Sequence, residues 1–178
     1  MKYIYPLLLL IIISCKSTNL KIESEFKQQD KSINLYAFIG EKISVTEFDP
    51  NENNDEKVID PITGDTLIHK NYIMDYGFRA RYKVVKNIFN NLKTDTIEFL
   101  AYDHYGRPKF ENHKNVILYI SQNKEKGNYY HQKYQFNPVK WTKIGIWKGL
   151  KGLKGETIEK LFTEKKNGVL AARGLFDE

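Results

Sequence analysis

Between Tyr76 and Phe89 the chain alternates with a period of two: Phe78, Ala80, Tyr82 and Val84 are apolar, while Arg79, Arg81 and Lys83 are cationic. Successive side chains of a β-strand point to opposite faces, so one face of this stretch belongs to a core and the other to water. Residues 94–103 (TDTIEFLAYD) follow after Asn90-Asn91-Leu92-Lys93, a connection of hairpin length. A hairpin centred there sets Val84 opposite Phe99 and Tyr82 opposite Ala101, and a slip of one residue would lose both apolar pairs. Residues 116–121 (VILYIS) are apolar on both faces, the mark of a central strand. Further strands are expected in residues 35–48, where Ile43 and Val45 alternate with Ser44 and Thr46, in residues 129–136, and in residues 142–147. Asn137-Pro138 should end the second of these, because proline donates no hydrogen bond to a ladder. Residues 49–65 are rich in Asn, Asp, Pro and Gly and read as a loop. Residues 104–115 (HYGRPKFENHKN) read as a second, longer connection.

The end of the chain changes character. Residues 148–155 (KGLKGLKG) read as a flexible link, and residues 156–166 as a helix with Ile158, Leu161 and Phe162 on one face. Acids in the first turn and lysines in the last match the helix dipole. Asn167-Gly168 would serve as the C-cap, although the same dipeptide is also a strong hairpin turn, which leaves a terminal hairpin open. Five or six strands and one late helix predict a mainly β fold, a small antiparallel barrel or sandwich with a C-terminal α-helix. The runs FRARYKVVKNIF, TDTIEFLAYD and NVILYIS, spanning residues 78–121, resemble the oligonucleotide/oligosaccharide-binding (OB) barrel of netrin-module and metalloproteinase-inhibitor proteins. Those proteins carry a disulfide framework that a chain with one cysteine does not build, so the resemblance implies an OB-like shape and no inhibitory activity.

Residues 1–15 carry a different signal. Lys2 precedes an apolar run over residues 3–13, and Ile12-Ile13-Ser14-Cys15 closes it with the sole cysteine. The run has the length of a secretory signal and falls short of the roughly 20 residues that span a bilayer. This arrangement resembles the lipobox of bacterial lipoproteins. The resemblance implies that residues 1–14 are removed and that Cys15 is acylated, with palmitate-like chains anchoring the protein at about 0.8 kcal/mol per buried CH₂. Lys16 follows, where an aspartate would retain a lipoprotein in the inner membrane, and residues 16–19 lack an acidic export cluster. The expected address is the periplasmic leaflet of the outer membrane. The chain then divides into a signal peptide (1–14), a lipidated cysteine with a polar tether (15–34), a β-rich domain (35–147), and a Gly/Lys link with a helix (148–178).

Acylation of Cys15 leaves no thiol for a disulfide, a metal site or a nucleophile. The net charge of +6 reads first as a lysine-rich solvated surface, with anionic headgroups or acidic glycans as countercharges and no nucleic acid in that compartment. No serine sits in a Gly-x-Ser-x-Gly elbow and no phosphate-binding loop is present, so no catalytic residue, cofactor or metal is assigned. Asp49 to Asp60 echoes a calcium loop, yet Asn54 replaces the turn glycine. Asp103, His104, Glu111 and His113 share one connection without zinc-site spacing, and His69 and His131 are isolated. What remains is an aromatic and basic surface: Arg79, Arg81, Tyr102, His104, Tyr105, Arg107 and His113 are the candidate ligand-binding residues. The expected function is a membrane-anchored binding module for an envelope protein or an acidic glycan. The alternative is a small periplasmic hydrolase acting on cell-wall glycan through two carboxylates drawn from Glu98, Asp103 and Glu111.

Overall fold

The computed structural model describes residues 26–52, 55–70, 72–150 and 155–174; the expected signal segment and Cys15 lie outside them. The elements are β1 (Tyr36–Phe48), β2 (Asp55–Ile59), β3 (Thr66–Lys70), β4 (Tyr76–Phe89), β5 (Thr96–Asp103), a 3-10 turn (Lys109–Asn112), β6 (Asn115–Gln122), β7 (Tyr129–Trp141), β8 (Trp147–Gly149) and α1 (Ile158–Gly174). The main sheet runs β5-β4-β1-β6-β7-β8 and curls until β5 meets β7, while β2 and β3 pair only with each other. Every neighbouring pair is antiparallel except the β5–β7 seam, which is parallel and has two rungs, Phe99 with Tyr129 and Leu100 with Tyr130. The first, second, third, fifth and fourth barrel strands thus follow one another round the ring, the connectivity of an OB barrel.

Two cores lie back to back. Phe38, Phe78, Ala80, Tyr82, Phe99, Val116, Leu118 and Ile120 fill the barrel, and Phe110 of the 3-10 turn joins them. On the outer side, Ala37, Ile39, Phe89, Ile117 and Tyr119 pack with Ile158, Leu161, Phe162 and Val169 of α1. Odd and even residues of β6 therefore enter different cores, which is why that strand is apolar on both faces. Phe162 stacks on Phe89 at 5.3 Å and lies parallel to Tyr119 at 6.4 Å. Burying a side chain of this size contributes about 1.5–3 kcal/mol. β1 threads the barrel wall at Gly40, where a Cβ would come within 3.0 Å of both Phe38 and Tyr82.

Several local expectations change. The β4–β5 hairpin has the expected faces but not the expected register: Tyr82 pairs with Ile97, and Ala80 with Phe99. The last turn of β4 pairs with β1 instead, through Lys86 with Ile39 and Phe89 with Ala37, so the connection is longer than four residues. Residues 49–65 are not all loop. β2 pairs with β3 around a turn in which Asp60 accepts the N–H groups of Ile62 and Thr63, and Asp49 sits on the far side of β2 accepting from Asn51. Among the described residues, the acids of this stretch therefore do not gather into a metal-ligating group. β7 does not stop at Pro138. Its ladder to β6 ends at Val116–Pro138 and its ladder to β8 begins at Val139–Gly149, so the proline stands where the strand exchanges partners. Residues 142–146 form a turn and only Trp147–Gly149 is strand. Helix α1 runs through Asn167-Gly168 to Gly174, because buried Val169 repeats the apolar face of Ile158 three turns on and outweighs about 1 kcal/mol of glycine propensity. Of the expected Gly/Lys link, Gly149 already belongs to β8 and donates to Glu156 O, while residues 151–154 lie outside the described residues.

The polar stretch before β1, expected to be a tether, is fastened to the domain from residue 26 onward. Phe26 packs against Phe162 at 5.9 Å, and Gln28 bridges Phe89. Asn90, buried and in the left-handed region at φ 53°, donates to Asp30 O, Ile33 O and Leu35 O and accepts from Asp30 N. One side chain thereby cross-ties the segment to the end of β4.

Candidate functional site

The barrel seam opens into a cleft. Beyond Leu100 and Tyr130, β5 continues along β4 to Asp103 opposite Tyr76, whereas β7 stays with β6. β6 advances only from Ile120 to Leu118 while β7 goes from His131 to Phe136, so residues 132–135 leave the ladder as a bulge with Tyr134 at φ 65°. Sheets use such bulges to re-aim side chains. The gap between the diverging strands is a cleft of about 360 Å³ lined by Ala101, Tyr102 and Asp103 of β5, His131, Tyr134 and Phe136 of β7, and Tyr105, Arg107, Pro108, Lys109 and Phe110 between them.

Its floor is aromatic. Phe110 is 1% exposed and faces His131 at 4.7 Å and Phe99 at 6.0 Å. His131 Nε2 lies 2.9 Å from Gln135 O and donates its proton there, closing the bulge. Burial lowers the His131 pKa to about 4, against the smaller opposing effect of that hydrogen bond, so the ring is neutral at pH 7. The rim is formed by Tyr105, 83% exposed, and Tyr134, 46% exposed, with ring centroids 6.2 Å apart. His104 sets its edge against Tyr105 at 5.4 Å, and Lys133 lies over Tyr134 at 5.4 Å while its ammonium contacts Asp75 at 2.7 Å. Asp103 accepts the Tyr105 N–H at 2.9 Å, which orients the start of the connection.

Only part of the expected surface converges here. Tyr102, Tyr105 and Arg107 line the cleft. Arg107 is half-exposed but already engaged: it grips Glu111 with two bonds of 2.6 and 2.7 Å and donates to Val45 O at 2.9 Å. Its guanidinium also covers Phe78 at 5.4 Å, and the hydrogen-bonded Glu111 raises its pKa further. It is a clamp from the connection to β1. His104 instead contacts Asp75 at 3.4 Å and faces a shallower depression with Phe48 and Met74. His113 lies beyond Phe136, at 6.1 Å, on the side facing α1. Arg79 and Arg81 stand on the solvent face of β4, Arg79 paired with Glu98 at 3.1 Å. Asp103, His104, Glu111 and His113 therefore do not meet, and among the described residues no cluster of three metal-ligating side chains forms. Of the three carboxylates only Asp103 lines the cleft, while Glu111 is held by Arg107 and Glu98 by Arg79.

Phe110, His131, Tyr134 and Phe136 were not among the expected site residues. Phe110 was visible as the lone phenylalanine inside a polar connection, but the bulge that turns Tyr134 toward the cleft has no signature in the sequence. Among the described residues no helix is long and apolar enough to cross a membrane. Comparison with protein-family models, with curated proteins and with solved structures finds no match to this chain.

Proposed function

We propose that this chain is a lipid-anchored module of a bacterial envelope, held through acylated Cys15 on the periplasmic leaflet of the outer membrane, and that its barrel binds a ligand in the seam cleft. The observation that carries the binding role is the tyrosine rim over an aromatic floor: exposed Tyr105 and half-exposed Tyr134 border the cleft above buried Phe110. Aromatic faces of this kind stack on flat, partly apolar surfaces such as sugar rings. With Arg107 engaged by Glu111, Lys109 is the cation left along the cleft wall, so shape and stacking select the ligand more than charge does. An envelope glycan fits this chemistry, and an envelope protein presenting an aromatic or glycosylated loop is the other partner of the same kind of surface. The apolar run ending in Ser14-Cys15 supports the address.

The test has two independent arms. Cells fed labelled palmitate should label the wild-type protein and not Cys15→Ser; equal labelling rejects the anchor. Immobilised N-acetylglucosamine oligosaccharides should retain the wild type and lose the Tyr105→Ala/Tyr134→Ala double variant. Because Tyr105 is exposed and Tyr134 half-exposed, the variant should fold normally by circular dichroism. Retention unchanged by the double substitution rejects the cleft as the binding site.

A further inference from the structure

The tip of the β7–β8 hairpin has features that the cleft does not explain. Across residues 137–155 the sequence contains five lysines, both tryptophans of the chain and no acid. In the fold, Trp141 is 56% exposed and Ile144 65% exposed, side by side on one hairpin tip. Exposed apolar side chains are often mobile, but these two are not on a loose loop. Thr142 closes the turn with its N–H and hydroxyl both donating to Ile146 O, at 2.9 and 2.8 Å, and Gly145 N donates back to Thr142 O. Gly145 takes the left-handed conformation at φ 77° that this turn requires. Trp141 rests edge-on against Trp147 at 5.3 Å, and Trp147 in turn packs on the core beneath α1. Ile146 points inward at 3% exposed. The tip is therefore a rigid wedge with an apolar edge.

Its charge is equally one-sided. Lys140 and Lys143 immediately precede Trp141 and Ile144, both lysines are exposed, and neither is in an ion pair among the described residues. Of the acids nearest in sequence, Glu156 just before α1 and Glu164 within it contact Lys160 at 3.0 and 3.8 Å, while Glu159 is exposed on the first turn of α1. An exposed tryptophan and isoleucine alternating in sequence with two lysines that make no ion pair among the described residues match the interface of an anionic bilayer. Indole rings settle at headgroup level, the aliphatic side chain enters the acyl boundary, and each lysine near the phosphates adds about 1 kcal/mol. A purely acidic segment would leave Trp141 and Ile144 unused, and a nucleic acid would leave Ile144 unused.

We infer that the Trp141–Ile144 tip is a bilayer-contact site that docks the barrel against anionic headgroups. The inference does not depend on acylation of Cys15. The experiment uses the full chain with vesicles of phosphatidylcholine alone or mixed with phosphatidylglycerol, each with brominated acyl chains. Because both tryptophans lie in this hairpin, their quenching reports the hairpin and not the N-terminus. Quenching with a blue-shifted emission is expected in the mixed vesicles and much less in phosphatidylcholine alone. Lys140→Gln/Lys143→Gln should demand about 30-fold more mixed lipid for the same quenching. Ile144→Ser, at an exposed position, should shallow the insertion without changing the circular dichroism. Unquenched tryptophans in the mixed vesicles overturn the inference, as does quenching that survives the double lysine substitution. Emission that shifts only when soluble envelope protein is added also overturns it, and makes the occupant a protein. Absence of palmitate label, by contrast, would reject the anchor and leave this result standing.

Discussion

Two hairpins leave the barrel, and they are built on opposite terms. The β2–β3 ribbon has five paired rungs, from Asp55–Lys70 to Ile59–Thr66, yet every residue of β2 is exposed and Ile62 at its turn is 92% exposed. The β7–β8 hairpin has three rungs, yet it seats Val139 and Ile146 in the interior and rests Trp147 on the helix-side core. Their charges also oppose. Residues 49–65 carry six acids and one lysine, whereas residues 137–155 carry five lysines and no acid. The contrast teaches that ladder hydrogen bonds define a hairpin while apolar burial anchors it. An isolated two-stranded ribbon is marginal in water however many rungs it has.

The largest effect separating the two is expected from paired truncations. Trp147→Ala should destabilise the protein by about 3 kcal/mol in chemical denaturation, because it empties packing against α1. Leu67→Ala on the exposed ribbon should stay within about 0.5 kcal/mol. Equal losses would break the comparison.

A smaller effect tests whether β7 is anchored at its cleft end as well. His131 titrates near 6.5 when unfolded and near 4 when folded, so the unfolded chain binds the extra proton between those values. Its contribution is whole above pH 6.5 and is lost as the pH falls towards 4, amounting to about 2 kcal/mol between pH 7 and pH 5. His131→Gln should flatten that part of the stability profile. An unaltered slope would mean that the bulge is not buried in solution.

The smallest effect concerns the ribbon as a whole. Replacing residues 55–70 with a short Gly-Ser connection should change stability by less than about 1 kcal/mol, since loop length enters only logarithmically. Hydrogen exchange should agree, with amides of β2 and β3 opening far more readily than those of Val139 and Gly149. Slow exchange in the ribbon would show that something covers it.

These differences also mark what could be read from the sequence. The central position of β6 was legible because both of its faces are buried, and the faces of β4 and β5 were legible because each buries only one. Their register was not, because β4 outruns β5 and spends its last residues on β1, a long-range choice with no local sign. β2 and β3 escaped notice for the opposite reason: DEKVI buries neither face, so no period of two appears. The end of α1 was misread because Val169 and its packing lie beyond the Asn-Gly signal. At the cleft, Tyr102 and Tyr105 were legible as aromatics near a strand end. The charge of Arg107 was visible too, but not that Glu111, four residues on, would consume it.

The cross-tie at Asn90 has one more consequence. If Cys15 carries the lipid proposed, the leash to the membrane is not the whole polar stretch and can be no longer than residues 16–25, since the chain is fastened from Phe26 onward. Fully stretched, that leash reaches at most roughly 40 Å. Contact between the hairpin tip and the bilayer then becomes an intramolecular event at an effective concentration on the order of millimolar. Even a feeble grip on lipid would therefore suffice to set the barrel's posture, and with it the direction in which the cleft faces.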